Sequence, residues 1–160
     1  MGGESGFFGK LPATGDFVSR GLPPGMRAAL DRWLTACLAG IAPEDWPEDG
    51  LRAKLSLAGE EVILALVPSG DRLGRLYPLA GVAPGAGVGR AEADAWVTAV
   101  LYDLADAADG LIGADDLAAR LAAAPLPSPG PGEPGDVVWR TGHPPAPPTP
   151  EGVARLLSSG

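Results

Sequence analysis

The stretch LRAKLSLAGEEVILALV, residues 51–67, decides what kind of sheet this chain builds. Leu51, Ala53, Leu55 and Leu57 alternate with Arg52, Lys54 and Ser56. That is the period of two of a strand with one apolar and one wet face. Gly59-Glu60 supplies a tight turn, and Val62 to Val67 is then apolar on both faces, as a central buried strand would be. The two runs read as an antiparallel hairpin. A doubly wound parallel fold needs regular alternation of strand and helix, which this hairpin breaks. The expected class is therefore α+β, with a mainly antiparallel or mixed sheet covered by helices in an α/β/α sandwich.

The flanking segments fit that plan. Phe7 to Leu11 reads as a first strand running into a turn at Pro12–Gly15. From about Pro24 to Ala39, Met26, Leu30, Trp33, Leu34, Cys37 and Leu38 recur at spacings of three and four, the stripe of a helix facing a core. Pro23-Pro24 suits the first turn of that helix and Gly40 its end. Ala42–Gly50 is an acidic connector, Leu76 to Val82 a further strand, and Pro84–Gly89 a flexible loop. Ala91 to Ala108 carries a second helical stripe that includes Trp96, and Ala114 to Ala123 a third, with Asp115 and Asp116 near its positive N-terminal end. Val137 to Arg140 is a short strand suited to a sheet edge. Thr149 then caps a last helix that has Pro150 at its first position. Trp33 and Trp96 are expected in the core.

At 160 residues the chain has the size of one domain, 1–160. Its 24 glycines and 18 prolines raise the question of disorder. The prolines crowd near 125–135 and 143–150, so those two segments are expected as loops and the rest as folded. The net charge is −8, and residues 1–40 contribute none of the excess, with Lys10, Arg20, Arg27 and Arg32 against Glu4, Asp16 and Asp31. An acidic chain without a Lys/Arg cluster is a poor ligand for nucleic acid, whose phosphates demand basic surface. No run approaches the roughly 20 apolar residues that cross a bilayer, and no basic-then-apolar leader opens the sequence. A single cysteine, Cys37, excludes an internal disulfide and agrees with a reducing compartment. A soluble cytoplasmic protein is expected, without membrane insertion.

A catalytic set is hard to assemble from these residues. The one histidine, His143, stands before Pro144-Pro145 in a loop-like segment, and Cys37 lies on the apolar face of its helix. One His and one Cys cannot make a Cys/His zinc site. Asp103, Asp106 and Asp109 could hold magnesium, but a solvated helix face is the plainer reading. Gly85-Ala86-Gly87-Val88-Gly89 lacks the Gly-Lys-Ser/Thr ending of a phosphate loop. No catalytic residue, metal or cofactor is expected.

Two strings carry more information: GFFGKLPATGDFVSR, residues 6–20, and PSGDRLGRLYPL, residues 68–79. Each sets charges inside a frame of glycine, proline and aromatic residues, which fixes the direction in which a charge points. Lys10, Asp16, Arg20, Asp71, Arg72 and Arg75 are the candidate partner- or anion-binding residues. An arginine turn can offer planar guanidinium groups to a carboxylate or phosphate. Equally, Asp71 or Asp16 can neutralise an arginine internally and pin the turn. Asp16 also suits the capping of local backbone amides. Both strings are expected to meet at one end of the sheet.

Together they resemble the TagF family, also called ImpM-like, of type VI secretion accessory proteins. The resemblance lies in G-F-[FY]-G-K-L-P-x-x-G-D-F and, further on, P-S-x-D-R-x-G-R-x-[FY]-P-L. It implies an α–β sandwich and a non-enzymatic, cytoplasmic, post-translational repressor of the type VI secretion system. The partners it implies are secretion components, with the forkhead-associated-domain scaffold protein among them. The alternative is an enzyme or a nucleotide- or anion-binding module built on Asp16 and Asp71–Arg75.

Overall fold

In the computed structural model, residues 4–130, 132 and 135–158 are described. The hairpin of residues 51–67 forms the middle of the molecule. Leu51–Leu57 (β3) and Glu60–Val67 (β4) pair antiparallel from Leu51 opposite Leu66 to Leu57 opposite Glu60. Only Ala58 and Gly59 lie between, at φ 52° and 78°. Two left-handed residues match the twist of the strands they join. Gly6–Lys10 (β1), Phe17–Arg20 (β2), Leu79–Pro84 (β5) and Val137–Trp139 (β6) complete one sheet in the order β2-β1-β5-β4-β3-β6. Every pairing in it is antiparallel.

Alternation along the strands divides the core in two. Phe8, Leu64, Leu66, Ala80 and Val82 face Met26–Cys37 (α1) and Pro150–Ser158 (α4). Phe7, Ile63, Ala65, Leu79 and Ala83 face Arg90–Ala108 (α2) and Ala114–Ala123 (α3). The sandwich is α/β/α. Trp96 of α2 is buried against Gly81, where a side chain would displace Leu104. Trp33 of α1 is only half-buried; its indole N–H donates to the Pro148 carbonyl at 3.0 Å. The expected core position is thus met by Trp96 and only partly by Trp33, which lies over the edge where α1 meets the segment before α4.

Several local expectations change. β3 has no wet face through Arg52 and Lys54, which are 4% and 6% exposed. They point to the α2 side beside Ala65 and Ile63. Arg52 has Asp49 at 3.5 Å, Asp94 of α2 at 3.8 Å and the Thr141 hydroxyl as partners. Lys54 donates to the Val88 carbonyl at 2.9 Å and lies 3.8 Å from Glu61. Periodicity alone cannot distinguish a solvated charge from one buried with partners. The Pro84–Gly89 loop is packed, with Val88 1% exposed.

The strand after the second string begins at Leu79 and not Leu76, because Gly70 bridges Leu76 inside the preceding loop. α1 starts at Met26 behind Gly25, whose φ of 81° breaks the chain direction set by the two prolines. At the other end, Thr149 Oγ accepts the Gly152 N–H at 3.0 Å, as a helix cap should. Pro125–Gly130 is irregular chain, while residues 131, 133 and 134 of that proline-rich stretch lie outside the described residues. The second proline-rich stretch is not all loop, since Ala146 bridges Val138 and extends the sheet beyond β6.

Candidate functional site

The first string is the β1–β2 hairpin. Its turn closes through the Thr14 N–H to the Leu11 carbonyl at 3.0 Å, and the Thr14 hydroxyl reaches the Asp16 carbonyl at 2.9 Å. Asp16 accepts the N–H of Phe17 at 2.7 Å through its carboxylate, so it caps the strand that follows. Gly9 admits the neighbouring loop, because a Cβ there would collide with the Pro78 carbonyl. Phe8 and Phe17 stack with ring centroids 5.6 Å apart, and Tyr77 meets Phe17 edge-on at 4.8 Å. The Tyr77 hydroxyl donates to Asp31 of α1 at 2.6 Å. Burial first, and then this bond to Asp31, push its pKa up.

The second string is a loop wound around one carboxylate. Asp71, 4% exposed, accepts the N–H groups of Leu73 at 2.9 Å and Arg75 at 3.0 Å. Its other oxygen takes the Arg75 Nε at 2.6 Å and the Lys10 ammonium at 3.3 Å. Gly74, at φ 81°, makes the reversal that brings Arg75 back over Asp71. Burial acts to raise the pKa of Asp71. It is outweighed by the Arg75 N–H, Lys10, the Leu73 N–H and the Arg75 guanidinium, which hold the group at about 2.

The two loops are tied directly. Ser69 Oγ donates to the Lys10 carbonyl at 2.6 Å, the Arg72 N–H to the Thr14 carbonyl at 3.1 Å, and Arg75 Nη2 to the Gly15 carbonyl at 3.1 Å. Lys10, Asp16, Asp71, Arg72 and Arg75 therefore share one end of the sheet. Arg20 does not join them. It sits at the far end of β2, opposite Phe7, where it pairs with the exposed Asp115 of α3 at 3.3 Å. Its place in the string reflects strand length and not the site.

Within this group the roles divide. Asp71 is an internal anchor with its oxygens occupied. Arg75 is bound to it although its side chain remains 58% exposed. Arg72 is held by its backbone, is exposed, and has no ion pair among the described residues. Beside it, Leu73 and Leu76 are 74% and 53% exposed. The sequence reading overlooked these leucines; an apolar residue inside a Gly-framed turn, with no strand or helix to turn it inward, was the available signal. Hollows of about 290 Å³ and 330 Å³ open on the surface, and neither is lined by Lys10, Asp16, Asp71, Arg72 or Arg75.

The other titratable groups lie apart. The Cys37 thiol is buried, and burial followed by the charge of Glu151 raises its pKa. Asp103 and Asp106 do not simply face water; both pair with Arg120 of α3, at 3.3 and 3.2 Å. Among the described residues, no three His, Cys, Asp or Glu side chains are grouped to hold a metal ion, and no helix is long and apolar enough to cross a membrane.

Both strings, joined in this way, lie within a known family. The TagF N-terminal domain family, type VI secretion system-associated, matches residues 6–124. The chain belongs to this family. The TagF match runs from β1 through α3 and takes in both loops of the site. Among solved structures, that of PA0076 from Pseudomonas aeruginosa PAO1 is similar, with a TM-score of 0.64 and 28% sequence identity. The alignment covers 78% of this chain and 64% of that one, so the TagF chain described here spans less than two thirds of that relative. No curated protein matches it. This is a type VI secretion-associated protein with the TagF fold.

Proposed function

We propose that this protein is a non-enzymatic, cytoplasmic accessory factor that represses type VI secretion post-translationally through protein–protein contact. Its partners are components of the secretion system, the forkhead-associated-domain scaffold protein among them. The observation that carries this reading is the occupancy of Asp71. A general acid or base must reach substrate and titrate near the working pH. Asp71 is shut from solvent, filled with donors and held at about 2. The joined loops present outward Arg72, Leu73 and Leu76 on a backbone fixed by hydrogen bonds. Arginine beside exposed apolar side chains on a rigid loop is the composition of a contact surface.

The test is genetic. Deletion in the native bacterium should raise type VI secretion, and overproduction of the wild-type protein should silence it, measured as killing of a susceptible neighbour. Secretion indifferent to both loss and excess would overturn the reading. Replacing the exposed pair together, Arg72→Ala with Leu73→Ser, should leave the fold intact and relieve repression.

A further inference from the structure

The same end of the sheet carries a groove that the two strings do not explain. It lies between the connector after α1 and the C-terminal half of α2, and its volume is about 330 Å³. Trp46 and Pro47 of the connector, Val67 and Pro68, and Leu101 and Ala105 of α2 line it. Tyr102 also lines it and is 78% exposed. The charged lining residues are Glu48 on one wall and Asp109 on the other, both acidic and exposed, and neither has an ion pair among the described residues. Glu44 and Asp45, in a single 3-10 turn beside Trp46, extend the acidic lip.

Asp109 is placed against its own helix. It follows the last turn of α2, which contains no basic residue, where backbone carbonyls already present a negative end. A cation is favoured there and a carboxylate is not. A cationic group brought by a partner would relieve that conflict and meet Glu48 at the same time. We propose that this groove docks an amphipathic segment of a partner protein, with apolar side chains entering the trough and Lys or Arg flanking them. Acid on both walls of a chain of net charge −8 repels an acidic segment and draws a basic one. The groove shares Pro43, Trp46 and Pro68 with a shallow depression bounded by Leu76 and Tyr77, so it opens onto the loops that carry Arg72 and Leu73. The assignment rests on the protein-contact reading above and adds the chemistry of the partner.

The probe is a pair of synthetic helical peptides with the same leucine pattern, one carrying lysines and the other glutamates, titrated against the full chain by fluorescence anisotropy. The lysine peptide should bind and the glutamate peptide should not. Glu48→Lys with Asp109→Lys should weaken the lysine peptide about tenfold, since each exposed charge pair contributes a fraction of that factor and reversal adds repulsion. A control with the same change in net charge, Glu4→Lys with Glu60→Lys at the opposite end of the sheet, should leave binding nearly unchanged. Ala105→Trp, which fills the trough without altering charge, should also weaken it.

Equal weakening by the two double reversals would overturn the proposal, because the peptide would be sensing only net charge. So would binding of both peptides alike, or of neither. Such a failure leaves the deletion and overproduction test untouched, whereas secretion indifferent to the protein would sink the regulatory reading whatever the peptides do.

Discussion

Arg75→Ala and Arg72→Ala should separate sharply, although the two arginines lie three residues apart in one loop. Removing the Arg75 side chain deletes the 2.6 Å bond to Asp71 and the 3.1 Å bond to the Gly15 carbonyl. Hydrogen bonds to charged groups contribute about 1.5–3 kcal/mol when buried. The Arg75 side chain is 58% exposed, so solvent screening brings the expected loss down to about 1 kcal/mol. For a chain of this size that is a fall of about 3 °C in Tm. Arg72 is tied through its backbone N–H, which alanine retains, so Arg72→Ala should stay within about 0.5 kcal/mol of wild type.

The acid limb gives a second readout of the same substitution. The folded-state pKa of Asp71 is lowered from 3.8 to about 2, so the carboxylate stabilises the fold above the unfolded value. That contribution is lost as pH falls from near 4 through about 2. Without the guanidinium the folded pKa rises, the window narrows and Asp71 stabilises less. Thermal melts of the three proteins by circular dichroism at pH 7 and pH 2 measure both effects. Arg72→Ala melting below Arg75→Ala, or an Arg75→Ala deficit that is as large at pH 2 as at pH 7, would refute the assignment of anchor and outward residue.

Trp96→Ala should cost about 3–5 kcal/mol, the range for a buried aromatic, whereas Trp33→Ala should cost about 2, because Trp33 is only partly buried. Urea denaturation of both variants checks this, and equal midpoints would contradict the difference in burial. Ala58→Gly should stabilise the hairpin by about 0.5–1 kcal/mol by removing a Cβ from a left-handed position, seen as a raised denaturation midpoint.

By itself the sequence determined the antiparallel hairpin, the extents of α2 and α3, the Thr149 cap and the two strings that mark the TagF family. These features are local: a period of two or 3.6, a capping residue, or glycine and proline at fixed spacing. The meeting of the two strings was legible too, because the hairpin topology leaves one end of the sheet for both loops. What the tertiary structure alone decided is what each charge faces. Arg52 and Lys54 alternate in sequence as wet-face residues do, yet α2 and the Val88 loop cover them and supply their partners. Asp71 and Arg72 are neighbours of opposite role, one sealed around Lys10 from a strand far back in the chain and the other turned outward. Arg20 left the site because a strand of four residues carries its end away from the turn. Strand period fixes the face a side chain takes; whether that face meets water, a carboxylate or a helix depends on contacts between segments distant in sequence, which no local pattern records.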